Sequence, residues 1–361
     1  EMQRSLVGSE MCIRDRANVA KNNDLMNGQE SPVYSAEAIQ KMRDGSDPLN
    51  FGDTNWRKLV LRDWAPQSKH TVRLTGGNDV HQFYMSVGHI DQNSLYRSNN
   101  HWMKRTTFRL AESATIKALG LQVNAALDGY RQHQEHPYTS TSNSYYHVFS
   151  HINNQSPMRP GVNSLGLPYN VTDNPVAETA ADAGYQRSIV NVINGKGELV
   201  WSCLWVDGLK VRLASNYRYY GETYKNWRKD AAQYDWESDV AQYANKPQLS
   251  HTSGTGYSYT NQAFVEYANT FGQHNISALG GFEQYYEKGE SYNASRSGYD
   301  FSIDQMGVGP ANDQLNGGSE SELGRAAWIG QVKYNYANKY YAEGSIRYDA
   351  VSYTHLTLPT T

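Results

Sequence analysis

The chain has 361 residues, and 33 Lys and Arg against 36 Asp and Glu leave a net charge of −3, so no overall field favours nucleic acid or an anionic surface. Tyrosine is abundant, 28 beside 8 Trp, although only 39% of residues are hydrophobic, and no run of about 18 apolar residues is available to form a transmembrane helix. Two cysteines, Cys12 and Cys203, exclude a disulfide framework and a multi-cysteine metal centre.

Composition alone favours a soluble β-sandwich or a tyrosine-rich carbohydrate binder. Amphipathic aromatics in a polar chain also suit strands that pass from an apolar zone into water. The two ends stand apart from the rest. SLVGSEMCIRDR and VSYTHLTLPTT resemble translated sequencing-adapter read-through, so 1–16 and 351–361 are left out of fold reasoning. These end strings are expected to make no consistent packed contacts with the body.

In chain order, Ser35 followed by AEAIQKMRD and Gly45 predicts a short capped helix, closed off by Asp47-Pro48. TNWRKLVLRDW predicts a second helical piece with Trp56 and Leu59 on its buried side. From Lys69 the period changes to two. HTVRLTGG and HQFYMSVGHID are joined at Asn78-Asp79, and KRTTFRLAESATIK and GLQVNAALDGYRQ follow. GLKVRLASNYRYYG alternates most regularly, with Leu209, Val211, Leu213, Tyr217 and Tyr219 opposed to Lys210, Arg212, Asn216 and Arg218. Near the end, Trp328, Val332 and Tyr334 oppose Gln331 and Lys333, and after a turn Ile346 and Tyr348 oppose Arg347 and Asp349.

The alternation persists for roughly 9–14 residues per strand, the length a tilted membrane strand needs. Short turns near 78–80, 117–119, 205–208, 270–274 and 337–339 alternate with long polar connections around 93–101, 131–186, 222–256 and 286–323. One-sided long loops are a mark of outer-membrane barrels. Together these features reverse the compositional expectation. The fold class is all-β: an antiparallel transmembrane β-barrel, here an open partial barrel of about ten strands with a short helical lead-in.

DPLNFGDTNWRKLVLRDWAPQSKHTVRLTGGNDVHQFYMSVGHIDQNSL, NPVAE at 174–178, VDGLKVRLASNYRYY and GRAAWIGQVKYNYANKYYAEGSIRYDA resemble ordered segments of the SusC/RagA family of Bacteroidetes TonB-dependent outer-membrane transporters. The likeness covers most of 45–350. It implies that 17–66 is the end of a plug domain and its linker, and that 67–350 is the first part of the barrel. It further implies active import of glycans or peptides through the outer membrane, a SusD-like surface lipoprotein as partner, and energy from TonB-ExbB-ExbD through an N-terminal region absent from the chain. No cofactor, nucleic-acid partner or enzymatic role is implied. Two other readings remain open: a passive porin-like barrel, and a soluble β-rich glycan-binding or hydrolysing module.

Few residues carry site chemistry. Glu283 with Glu287, or Asp300 with Asp304, could be read as glycosidase carboxylates, but solvated or lumen-facing charge explains them as well. His133 and His136 in HQEHP read as an exposed polar loop that lacks further metal ligands. SGTGYS and similar Gly-rich pieces lack the Lys and following helix of a phosphate loop. The candidate ligand contacts are the loop aromatics Tyr145, Tyr224, Trp227 and Trp236, together with Tyr138, Tyr146 and Tyr234. They could stack on sugar or touch a lid, and an interfacial aromatic belt explains them equally.

Overall fold

A computed structural model describes residues 13–28, 35–98, 100–138, 144–243 and 245–356. The lead-in contains α1 (Ile13–Met26), α2 (Ala36–Asp44) and α3 (Trp56–Val60). As the caps predict, the Ser35 hydroxyl accepts from the Ala38 N–H at 3.0 Å, and Gly45 closes α2 with φ +64°. α3 is shorter than the sequence pattern suggests, because Leu61 leaves the helix to bridge Tyr96.

Ten strands form one sheet in sequence order: β1 (Gln67–Gly77), β2 (His81–Asn93), β3 (Trp102–Ile116), β4 (Leu121–Pro137), β5 (Tyr185–Ser202), β6 (Leu209–Arg228), β7 (Gln248–Phe271), β8 (His274–Ser297), β9 (Gln314–Tyr336) and β10 (Tyr340–Leu356). Every pairing is antiparallel and between sequence neighbours. The sheet is open, with β1 and β10 as its edges.

The strands exceed the predicted length: β7 and β8 have 24 residues each. At ~3.3 Å per residue such a strand is roughly 80 Å long, well beyond what an apolar core ~30 Å thick requires even with tilt. The outer halves therefore project past any bilayer and absorb sequence that reads as loop. HQEHP belongs to β4, and Tyr224 and Trp227 belong to β6. The C-terminal end string departs from expectation in the same direction. Its residues 351–356 continue β10, with Val351 opposite Arg325 and Leu356 opposite Glu320. The aromatic and β-branched residues of VSYTHL suit extension along the open side of β9. Residues 13–16 of the N-terminal string lie within α1.

Ladder register separates the chemistry by face. One row runs Val123, Leu199, Leu213, Ala263, Phe282, Trp328 and Tyr348 across seven strands. A row on the other face runs Arg73, Ser86, Arg109, Asp128, Asn194, Arg218, Ser258 and Glu287. Leu209, Val211, Val332, Tyr334 and Ile346 share the first face, while Lys210, Arg212, Lys333 and Arg347 share the second. Large side chains of the apolar face are bare, with Val72 at 75% and Ile346 at 73% exposure, whereas Phe264 and Ala327 on the polar face are buried. Side chains converge and shield one another on the concave side of a curved sheet, and they splay apart on the convex side.

On the apolar face Tyr217 stacks on Tyr257 at 6.2 Å and Tyr259 on Tyr286 at 5.3 Å. Toward the short turns a second aromatic group joins His274, Tyr336 and Tyr340. Between the two groups, the stretch of β6 from Leu209 to Tyr219 is about 25 Å tall at ~3.3 Å per residue and ~40° tilt, the height of an outer-membrane apolar band.

The short turns 78–80, 117–120, 203–208, 272–273 and 337–339 gather at one end of the sheet. Only glycine fits at 208, where φ is +82° and a Cβ would lie 1.9 Å from the Ala268 carbonyl oxygen. The long connections 94–101, 138–184, 229–247 and 298–313 gather at the other end, where β1 also begins. The lead-in packs on these long connections. Trp56 and Val60 share a buried cluster with Tyr96, Val148, Ile152 and Val171, and the Trp56 Nε1–H donates to the Ser156 carbonyl at 3.0 Å.

Candidate functional site

The outer half of the polar face carries a hollow of about 570 Å³ on β6–β9. Its floor is glycine. Gly254 and Gly256 on β7 and Gly289 on β8 present no side chain, so the aromatic and charged neighbours stand around a depression. On β6, alternate residues Tyr220, Glu222 and Tyr224 project together, and both tyrosine hydroxyls donate to Glu222 Oε2, that of Tyr224 at 3.1 Å. On β8 the Tyr285 hydroxyl donates to Glu287 at 2.6 Å, and the Arg325 guanidinium lies 4.6 Å over the Tyr285 ring. Arg218 completes the rim. The result is two ring faces with fixed carboxylates and a guanidinium beside them, suited to a polar, hydrogen-bonding ligand with some apolar surface. Sequence reasoning passed over this site, although Gly254 and Gly256 in SGTGYS fall on the polar phase of a strand.

Of the candidate aromatics, Tyr224 is exposed at the edge of this arrangement. Trp227 is not available in the way its sequence position suggests. It is 4% exposed and packs edge-on to Tyr299 at 5.1 Å and against Leu249, because 298–313 folds over the outer end of β6. Trp236 is half-buried and edge-on to Tyr169 at 6.1 Å. Tyr138 and Tyr234 are half-buried in the outer loops. Tyr145 and Tyr146 belong to helix α4 (Ser144–Asn154), but their side chains lie outside the described residues. The structure therefore gathers Tyr224 with Tyr220 and Tyr285, and leaves Trp227 and Trp236 in loop packing.

Each acidic candidate has its own partner. Glu283 accepts from Arg347 at 3.2 Å and from Gln262 at 2.6 Å, and Glu287 accepts from Tyr285. Asp300 pairs with Lys246 at 2.7 Å. Asp304 pairs with Lys225 at 2.7 Å and accepts from Tyr185. Burial works to raise the Asp304 carboxyl, but the Lys225 ammonium and the Tyr185 hydroxyl outweigh it and hold the group below the usual carboxylate range. His133 and His136 are three residues apart on one strand and so point to opposite faces, which prevents them from sharing an ion. The His133 ring instead stands edge-on to Trp102 at 4.6 Å.

The outer loops are knit into one cap. Asn163 Nδ2 donates to the carbonyls of Asp235 and Ser238 at 3.0 and 2.9 Å, and the Asn170 amide donates to Gln242 at 2.9 Å. Beside the cap His101 is almost fully buried, neither ring nitrogen has a hydrogen-bond partner, and burial pushes its pKa down to about 4.

The fold and the two-faced sheet define a section of an antiparallel β-barrel. No protein-family model matches the chain, and no curated protein matches it. Among solved structures, it is similar to the RagAB peptide importer in the "closed-closed" state, with a TM-score of 0.66 and 18% identity over 91% of this chain and 38% of that one. The "open-open" state gives a TM-score of 0.64 at 18% identity, covering 95% and 36%. A further RagAB peptide transporter structure gives 0.61 at 18%, covering 83% and 33%. The shared property is the fold, and the chain spans little more than a third of the length of these proteins.

Proposed function

We propose that this chain is a section of the barrel of a TonB-dependent outer-membrane transporter of the SusC/RagA type, working in import and not in catalysis. The observation that supports this most is the sheet itself. Ten antiparallel strands carry one continuous apolar face, one continuous polar face and all their long loops at one end, in a fold shared with the RagAB peptide importer. The polar face is read as the lumen, the apolar face as the lipid contact, and the long loops as the outer surface. A SusD-like lipoprotein capping those loops, and TonB-ExbB-ExbD acting through a plug, complete the proposal.

Peptide cargo is favoured over glycan, since the similar structures are peptide importers and the Gly254–Gly256 hollow offers both fixed carboxylates and a guanidinium. Residues 67–350 are assigned to the barrel. Residues 17–66 are proposed as the end of a plug domain and its linker, of which 52–62 pack on 94–97 and on 156–158 at the end opposite the short turns. The end strings 1–16 and 351–361 are still read as adapter-derived.

The test is recovery of the unbroken gene and its neighbour, followed by uptake assays in the source cells. A TonB box upstream, an adjacent SusD-like gene and loss of peptide uptake on deletion are the expected results. A gene without a plug would favour a passive porin. Partition of the protein into the soluble fraction would favour the glycan-binding module.

A further inference from the structure

We propose that the connection between β4 and β5 holds a site for one divalent transition-metal ion of the Zn²⁺ type, liganded by His147, His151 and Asp173 and braced by Glu178. The inference stands on the geometry of this connection alone and is independent of the transport reading.

His147 and His151 form an H-x-x-x-H pair on α4, so both imidazoles leave the same helical face. Their ring centres are 4.8 Å apart. Two imidazoles bound to one tetrahedral ion through nitrogens about 2.0–2.1 Å away have ring centres on the order of 5 Å apart. The His151 Nδ1 lies 2.7 and 2.9 Å from the two Glu178 oxygens. In the neutral ring that contact favours the proton on Nδ1 and leaves Nε2 for an ion, which would displace any proton there, the arrangement in which a carboxylate orients a metal-binding histidine. The free Nε2 faces Asp173 Oδ2 at 4.0 Å. The gap is too long for a hydrogen bond. An ion about 2.0–2.2 Å from each atom would close it with a side-chain shift of roughly half an ångström.

The backbone holds these groups in place. Gln155 at the end of α4 donates to the carbonyls of Thr172 and Asp173 at 2.6 and 2.9 Å, tying the Asp173 turn to the helix that carries both histidines. Asp173 adopts a left-handed φ of +55°. Asn174 next to it is fully buried, donates to the carbonyls of Gly161 and Tyr169, and accepts from the Val176 N–H at the start of the helical turn Pro175–Glu178. His147, His151, Asp173 and Glu178 all line one cavity of about 430 Å³, with room for water as a fourth ligand. His151, Asp173 and Glu178 offer ligand atoms within 4.8 Å of one another, and His147, which stands outside that group beside His151, joins the ion by turning its ring toward Asp173. A bound ion would pin α4 to the Asp173 turn and stiffen the largest outer connection.

The full 361-residue chain, without a polyhistidine tag and in detergent micelles, is titrated with Co²⁺ and then Zn²⁺ at neutral pH. One equivalent of Co²⁺ should bind with the visible absorption of a low-symmetry site, and Zn²⁺ should displace it. H151A and the double variant H147Q/D173N should each lose about 100-fold or more in affinity, and E178Q roughly 10–100-fold. H133Q, at a histidine that does not line this cavity, should bind as the unaltered chain does. X-ray absorption of the loaded, unaltered chain should show imidazole scattering, which decides the matter even if H151A fails to fold. The proposal is overturned if stoichiometric binding is absent, if it survives undiminished in H147Q/D173N, or if the bound ion has no imidazole ligand.

Discussion

Arg347 on β10 reaches across β9 to Glu283 on β8, 3.2 Å away, and passes over Ala327, which is left 2% exposed. Asp349, Ala327 and Glu283 are direct ladder partners, so the small residue in the middle strand makes room for the bridge. A327L should force the pair apart and cost about 1–3 kcal/mol through overpacking. R347A should cost less than A327L, because the arginine is half exposed and its ion pair is screened by solvent. Urea unfolding of the chain in micelles measures both. A larger loss in R347A than in A327L would mean that the charge pair, and not the space beneath it, holds the three strands.

His101 makes stability depend on pH. The unfolded imidazole protonates as pH falls through 6.5, whereas the buried ring stays neutral until about 4. The unfolded state therefore binds more protons in that window, and stability falls as pH drops from 6.5 toward 4 by on the order of 2–3 kcal/mol. Because neither ring nitrogen is hydrogen-bonded, H101L should remove this dependence at little cost near pH 7. Unfolding midpoints at pH 7.5 and pH 4.5 test it, and an unchanged pH profile in H101L would assign the effect elsewhere.

Two tryptophans of the apolar face report how much of it is bare. Trp328 sits on the apolar face at 64% exposure, while Trp227 is buried under Tyr299. In micelles doped with a brominated detergent, W328F should remove much of the quenchable emission and W227F very little. Undiminished quenching in W328F would mean that detergent does not cover the apolar face, and a large loss in W227F would mean that 298–313 does not shield the outer end of β6.

The difference between those two residues also marks how far the sequence could be read. The caps of α2 were legible because Ser35 and Gly45 act on their own neighbours. Strand phase was legible wherever lipid and lumen impose opposite demands on alternate residues, as from Leu209 to Tyr219. Beyond the apolar band both faces meet water, alternation fades, and GETYKNWR and HQEHP read as loops although the ladders continue through them. The burial of Trp227 depends on 298–313, far away in the chain, and nothing local announces it. The spacing of His147 and His151 carries meaning only once those residues are known to be helical.

The open edges give the last prediction. β1 and β10 each have a ladder partner on one side only, and side chains such as Val72 and Ile346 stand bare beside the unpaired backbone. Half of the N–H groups in an edge strand point away from the sheet, where lipid offers them nothing and water leaves them open to another chain. In hydrogen–deuterium exchange on dilute chain in micelles, alternate amides of β1 and β10 should exchange at least about 100-fold faster than those of β4 to β7. At higher concentration in water the chain should self-associate, with protection rising first in these two strands as edges pair between molecules. A small closed barrel is the rival arrangement, and it predicts full protection of β1 and β10 at every concentration. Uniform protection in dilute micelles would therefore mean that β1 and β10 pair with each other, and the chain would then be a ten-stranded channel able to insert alone. Fast edge exchange means instead that the sheet is open at β1 and β10, with backbone groups that lipid cannot satisfy.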